Sequence, residues 1–280
     1  MTRDQRVRRA AAPVIATVLL LAGCGSSLSE PEGDALRVLS LDQCADQYVL
    51  ALGEGHELAL SPRADDPDSW LRAKASGHRM LRPTLESVVA YGPDVVVRYW
   101  GGDARLLAQL ERQGVTVVTI ADAADFASVE QSIAEVAQAL DRGTEGQALI
   151  GRMRTTLKEG GAPEGSRPLS ALYLTAGGFT SGSDTLIDAS LTAAGLENAA
   201  GHAGFDAVRV ERLAVDPPER FALGFYDQTR ADRRGPGRHP LVERLVEDRP
   251  YVRLPAAMLT CPAWFMAEAV PALAELRDAR

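Results

Sequence analysis

Glu86-Ser-Val-Val-Ala-Tyr-Gly-Pro93-Asp94 leads into the apolar run Val95-Val96-Val97, and Glu211-Arg-Leu-Ala-Val-Asp-Pro-Pro218-Glu219 leads into Phe221-Ala222-Leu223. Each copy reads as a short helix that starts near the glutamate, stops at the proline and feeds a buried strand. Proline ends helices, and an unbroken apolar run suits a parallel strand covered on both faces. In the first copy Thr84 is placed to cap the helix, and Glu86 lies in the first turn, where the helix dipole favours negative charge. Capping would account for either glutamate alone. The return of the same acid at the same distance before a Pro-acid pair instead suggests two similar lobes, each showing one carboxylate for a shared docking role.

Outward from these segments, strands and helices alternate. Residues 37–41 read as a strand, 45–52 as a helix ended by Gly53, 94–98 as a strand, 104–113 as a helix ended by Gly114, 115–120 as a strand and 128–140 as a helix. Ala148, Leu149, Met153 and Leu157 carry helical spacing through 144–159 with no strand beside it, which suits a connector. After a Gly/Pro/Ser-rich break at 160–168 the pattern restarts. It gives a strand at 169–174, a glycine-rich turn at 177–183, a helix at 186–194, a strand at 220–226, a helix at 239–247, a short strand at 251–254 and a final helix at 262–276. The expected fold class is α/β: two α/β lobes with mainly parallel sheets, 36–142 and 161–280, joined by a single long helix, 143–160.

The chain opens with a segment that reads as a secretory signal, residues 1–23. Arg3, Arg6, Arg8 and Arg9 precede an apolar stretch from 10 to 21 that is too short to span a bilayer. Leu21-Ala22-Gly23-Cys24 resembles a bacterial lipobox, in which the cysteine becomes the lipidated first residue; residues 24–35 then form a flexible tether. The expectation is an exported lipoprotein held at the membrane by its anchor alone, since no second long apolar segment follows. Removing four Arg and one Asp with residues 1–23 takes the net charge from -8 to -11. So acidic a surface argues against nucleic acid. Cys44 and Cys261 remain as a pair in an oxidising setting, either bonded to each other or held as two buried thiols.

In open α/β sheets ligands lie beyond the carboxyl ends of strands. Those ends carry Asp42 and Gln43, then Arg98, Tyr99 and Trp100, then Gly178 and Phe179, and Tyr226 with an arginine-rich loop behind it. Aromatic rings at strand ends beside glycine-rich turns point to a ring-lined cleft, against the plainer reading of core packing. Enzyme motifs are missing. Gly178-Phe-Thr-Ser181-Gly182 lacks nucleophile-elbow spacing, there is no Gly-x-x-x-x-Gly-Lys phosphate loop, and Gly177-Gly178 lacks dinucleotide spacing. His56, His78, His202 and His239 are scattered, without the pairing of a zinc site or of a binding protein for a bare metal ion.

The segment from Arg37 to Gly53 resembles the opening of the periplasmic substrate-binding proteins for cobalamin and ferric siderophores. The likeness runs on through Glu86 to Asp94, Gly114-Val-Thr-Val-Val118, Phe179-Thr-Ser-Gly182, Thr185-Leu-Ile-Asp188, Ala194-Gly-Leu-Glu-Asn198, His239-Pro240 and Leu259-Thr-Cys-Pro262. The resemblance implies two rigid lobes clamping a ligand between them with little hinge motion. It implies a monomer serving an ABC permease dimer with its ATPase, and no resident cofactor, metal or catalytic residue. The positions that match the family's permease-docking glutamates are Glu86 and Glu211; Glu219 stands where the family usually has Asp.

Tyr99, Phe179 and Phe205 fall where family members place aromatics around a corrin ring. Asp42, Gln43, Trp100, Tyr226 and Trp264 join them from strand-end or neighbouring loop positions. Arg98, Arg230, Arg233, Arg234 and Arg238 either receive an anionic iron chelate or form a solvated surface run. The expected cargo is a metal chelate, cobalamin or a ferric siderophore; the alternative is heme or another bulky solute, with a cleft hydrolase behind it.

Overall fold

A computed structural model describes residues 35–162, 167–228 and 234–279. The signal segment, the tether with Cys24, and Arg230 and Arg233 lie outside the described residues. The amino-terminal lobe runs β1 (Arg37–Ser40), α1 (Gln43–Leu52), β2 (Glu57–Leu60), β3 (Arg79–Met80), α2 (Leu85–Tyr91), β4 (Val95–Arg98), α3 (Ala104–Arg112), β5 (Thr116–Thr119) and α4 (Phe126–Ala139). The 17-residue α5 (Gly143–Glu159) follows. The other lobe runs β6 (Leu169–Thr175), β7 (Phe179–Ser181), α6 (Leu186–Ala193), β8 (Leu196–Asn198), β9 (Phe205–Ala207), α7 (Val210–Val215), β10 (Arg220–Gly224), α8 (Pro240–Glu247), β11 (Tyr251–Leu254), α9 (Ala256–Leu259) and α10 (Ala269–Asp278).

The first sheet has the order β3-β2-β1-β4-β5 and the second β8-β6-β10-β11, every pair parallel. With β1 matched to β6 and β4 to β10, the orders β2-β1-β4-β5 and β8-β6-β10-β11 are the same. The duplicated sequence segment therefore marks a duplicated topology, with α2 and α7 entering the equivalent strands β4 and β10.

Strand periodicity explains how the lobes join. Val38, Val95 and Val97 point into one large core that also takes Ala171, Tyr173 and Ala222 from the second sheet. Their alternates turn the other way: Leu39 and Val96 into an outer core with Val88 and Leu106, and Leu172, Leu174, Phe221 and Leu223 into another with Leu213 and Val242. Each continuous apolar run thus serves two faces of its sheet. The shared core is completed by α1, α4, α5, α6 and α10, and α5 packs on α4, α10 and the 264–268 turn. Residues 34–280 accordingly form one compact unit.

Two expectations are corrected. Residues 177–183 are not simply a turn: Phe179–Ser181 pairs antiparallel with Phe205–Ala207, a ribbon that the glycines masked in the sequence. The final helix is broken into a 3-10 turn at 264–268 followed by α10, because Pro271 has no N–H for a helix running back through Pro262. Residues 53–85, which no sequence pattern claimed, hold β2 and the two-residue β3.

Candidate ligand cleft and docking surface

Four ties show which edges of the sheets face each other. Cys44, just past the carboxyl end of β1, is disulfide-bonded to Cys261, in the segment after β11 and α9. Asp68, in the loop after β2, accepts Gln228 Nε2, after β10, at 2.9 Å. Tyr48 Oη donates to the Pro262 carbonyl at 2.8 Å, and Trp70 stacks on Phe265 with centroids 5.3 Å apart. All of the amino-lobe partners follow carboxyl ends of strands, as do Gln228, Cys261, Pro262 and Phe265 opposite them. The carboxyl edges of the two sheets therefore lie against each other, joined by direct contacts. Burial and the neighbouring Asp66 charge raise the Asp68 carboxyl above its ordinary value, against the bond from Gln228.

The floor of the amino-terminal wall is held by two buried aspartates one helical turn apart. Asp42 Oδ1 caps α1 by accepting Cys44 N and Ala45 N, while Oδ2 accepts Tyr99 N, Trp100 N and Gly101 N at 2.7 to 3.1 Å. Asp46 accepts Ser61 N at 2.8 Å, Ser61 Oγ at 2.6 Å and Ser40 Oγ. Burial pushes the Asp46 carboxyl up to about 6, against the bonds from Ser40 and Ser61. Together the pair ties the ends of β2, β1 and β4. A Cβ at Gly101 would stand 2.5 Å from the Leu41 carbonyl, so the β4 loop lies flush on the end of β1.

Three of the residues expected to meet a ligand are engaged within the protein. Asp42 is saturated by backbone N–H groups, and buried Gln43 gives its Nε2 to Ser69 Oγ at 2.9 Å. Arg98 donates Nε to the Gly101 carbonyl at 2.6 Å and reaches Thr119 Oγ1, bracing the same loop. These residues build the wall that others line.

What remains at the surface is aromatic. Trp100 is 58% exposed at the end of β4, next to half-buried Tyr99. The Tyr99 phenol donates to Asp122; burial first, and then this contact, raise its pKa. Opposite, the ribbon leaves β6 through a turn closed by Phe179 N on Thr175 Oγ1 at 2.9 Å. Phe179 pairs with Ala207 and Ser181 with Phe205, so Phe179 and Phe205 are diagonal neighbours on one face of the ribbon, 54% and 69% exposed.

Tyr226 and Trp264 also have partners within the protein. The Tyr226 hydroxyl donates to the Gly237 carbonyl at 2.7 Å beneath the Arg238 guanidinium, 4.9 Å from the ring centroid, and burial pushes its pKa up to about 12. Trp264 stands edge-on to Tyr48 and Phe265 in the packing between lobes. Asp46, Tyr48, Asp68, Trp70 and Gln228 were missed, for none carries a spacing signal; only the position of Asp68 and Trp70 after an unread strand could have pointed to them.

Glu86 and Glu211 lie exposed in the first turns of α2 and α7, one on each lobe. A helix linking parallel strands returns the chain from carboxyl to amino edge. The start of each helix is therefore level with the edge where the cleft opens. The acids of the Pro-acid pairs do something else: Asp94 accepts Arg37 N and Glu219 accepts Ser170 N, both at 2.8 Å, locking β4 to β1 and β10 to β6.

The sequence signature of the periplasmic binding protein family matches residues 38–221. The chain belongs to this family. Its members are the substrate-binding components of ABC importers and work with a permease and its ATPase; they are not enzymes. No curated protein matches the sequence. Among solved structures, the heme-binding protein BhuT in complex with two hemes shares 24% identity at a TM-score of 0.66, over 87% of this chain and 98% of that one. Heme-binding RhuT from Roseiflexus sp. RS-1 shares 20% at 0.67, covering 86% and 97%. Vitamin B12-binding BtuF of Vibrio cholerae shares 18% at 0.63, covering 87% and 97%. At these identities the likeness is one of fold. The family is one of exported proteins, and among the described residues no helix is long and apolar enough to cross a membrane.

Proposed function

We propose that this periplasmic binding protein captures a metal chelate between its lobes and hands it to an ABC permease that docks on Glu86 and Glu211. The carrying observation is the set of rings that follow the carboxyl ends of strands, exposed Trp100 beside half-buried Tyr99 in one lobe and exposed Phe179 and Phe205 in the other. Rings left in water by the protein alone suit a broad, flat ligand that covers them on both sides. Arg98 and Arg238 are engaged within their own loops, which favours a macrocycle such as cobalamin over an anionic siderophore complex. Heme is the second reading, supported by the same flat-ring walls and by the cargo of the similar solved structures.

Titration of the purified protein with cyanocobalamin, hemin and a panel of ferric siderophores, followed by tryptophan quenching and ligand absorbance, tests the reading. A tetrapyrrole is expected to saturate, and Phe179→Ala or Trp100→Ala to weaken it about tenfold without loss of fold, one ring contact each. No response to any of these ligands would overturn it. The anchor is part of the same proposal: palmitate labelling is expected in the full chain and lost in Cys24→Ala.

A further inference from the structure

We infer that the docking surface is a matched pair of patches in which each glutamate is backed by an exposed aliphatic pair, Val89 and Ala90 on α2 and Ala214 and Val215 on α7, that packs on apolar surface of the permease. The inference rests on the permease-docking reading above and extends it. Among the described residues, the large apolar side chains left exposed are few. Trp100, Phe179 and Phe205 belong to the cleft, and Met80 and Tyr251 to the edge strands β3 and β11. The other two, Val89 at 41% and Val215 at 86%, fall on the two helices that carry Glu86 and Glu211.

They stand three and four residues beyond their glutamates, next to them on the same helix face. The inward stripe is already supplied: Val88 on α2 and Leu213 on α7, each two residues past the acid, are the buried anchors. An outward valine adds nothing to that packing and is a mediocre helix former. Beside Glu211 the surface is also concave. A 730 Å³ groove runs between α7 and the 234–241 segment, with Ala214, Pro236, Pro240 and Leu241 on its walls beside Glu211, Arg234, Arg238 and His239, so that it offers apolar and charged surface together.

The acids decide the occupant. A second copy of this chain on the same patches would set glutamate against glutamate. The surface calls for a partner with basic groups for the acids and apolar surface beside them, repeated to match two lobes. Because both helices begin level with the open edge of the cleft, such a partner covers its mouth, as a two-fold permease must.

The test uses the full chain, loaded with whichever ligand it binds, and its cognate permease–ATPase complex in nanodiscs. Val89→Gln/Val215→Gln keeps helix propensity and charge while removing the apolar pair. Docking is expected to weaken at least tenfold, with ligand affinity and thermal midpoint unchanged; Met80→Gln, on an exposed edge strand, is expected to dock normally. If the double variant docks like the parent while Glu86→Lys/Glu211→Lys fails to dock, the aliphatic patches are overturned and the glutamate reading stands. If the lysine variant also docks normally, the docking reading itself falls and this inference with it.

Discussion

In the amino-terminal lobe the ends of β2, β1 and β4 are gathered by two buried carboxylates; in the carboxy-terminal lobe, built on the same strand order, the corresponding ends are held more loosely. There, among the described residues, exposed Asp227 joins the end of β10 to that of β11 by accepting Ala256 N at 3.1 Å. Neutral groups and close backbone contact do the rest: Thr175 Oγ1 accepts Phe179 N, Tyr226 Oη donates to the Gly237 carbonyl, and a Cβ at Gly237 would stand 2.1 Å from the Thr175 carbonyl. The docking helices differ in the same sense. α2 has a capping box between Thr84 and Ser87 and ends at Gly92 in the left-handed region, whereas α7 begins at Arg209 with no side-chain cap. Shared topology thus sets where the carboxyl edges and the helices α2 and α7 lie, and local polar chemistry sets how firmly each is held. One wall is a fixed template; the other presents its rings on a two-stranded ribbon.

The largest expected effect comes from severing the lobes' covalent tie. The Cys44–Cys261 bond closes a loop with a sequence separation of 217. In the chain-entropy view its removal by Cys44→Ser/Cys261→Ser costs about 5 kcal/mol. Denaturant titration should show that loss, with the looser lobe melting first; a change under about 1 kcal/mol would mean that the shared core alone holds the halves.

Next in size is the contrast between the clasps. Asp42→Ala leaves the α1 cap and three loop N–H groups without their acceptor and should cost on the order of 4 kcal/mol, with ligand affinity falling as Tyr99 and Trp100 lose their seat. Asp227→Ala, exposed to water, should cost about 1 kcal/mol. Equal losses would erase the distinction between walls.

Asp46 gives that distinction a pH signature. Its folded carboxyl titrates near 6 and above its ordinary 3.8, so the native state binds the proton more tightly than the unfolded chain. Its contribution is fully present below about pH 4 and is lost as pH rises through about 6, amounting to about 3 kcal/mol. Asp46→Asn, which can still accept Ser61 N, should remove this slope; the difference between the two proteins across pH 4 to 7 isolates it from other carboxylates. A parent whose stability relative to the variant rises over that window would refute it.

The smallest effect concerns the helices. Thr84→Ala should destabilise by about 1 kcal/mol, and Arg209→Asp, which supplies α7 with a cap, should stabilise by about 0.5 to 1 kcal/mol, both by thermal melting.

The duplication, the parallel strands and the exposed acids were legible because each is written in short-range pattern: a proline stop, an apolar run, a glutamate in a first turn. The aromatic residues after the strand ends were noticeable for the same reason, since rings there need no partner to be seen. The polar ties between strand ends were not. Asp42 looks like a ligand donor in sequence, and only the return of β4 to lie beside β1 shows that five backbone N–H groups already fill it. Asp68 and Gln228 are 160 positions apart, and no local spacing can announce such a bond. The ribbon Phe179–Ser181 with Phe205–Ala207 was hidden by glycines that are compatible with both turn and strand.

The buried cystine sets a condition on when this protein becomes competent. Cytoplasmic thiols stay reduced, so before export the two halves have no covalent tie beyond the chain itself. Oxidation after export then locks Cys44 to Cys261, so that the spacing of the two halves at this point is covalently fixed.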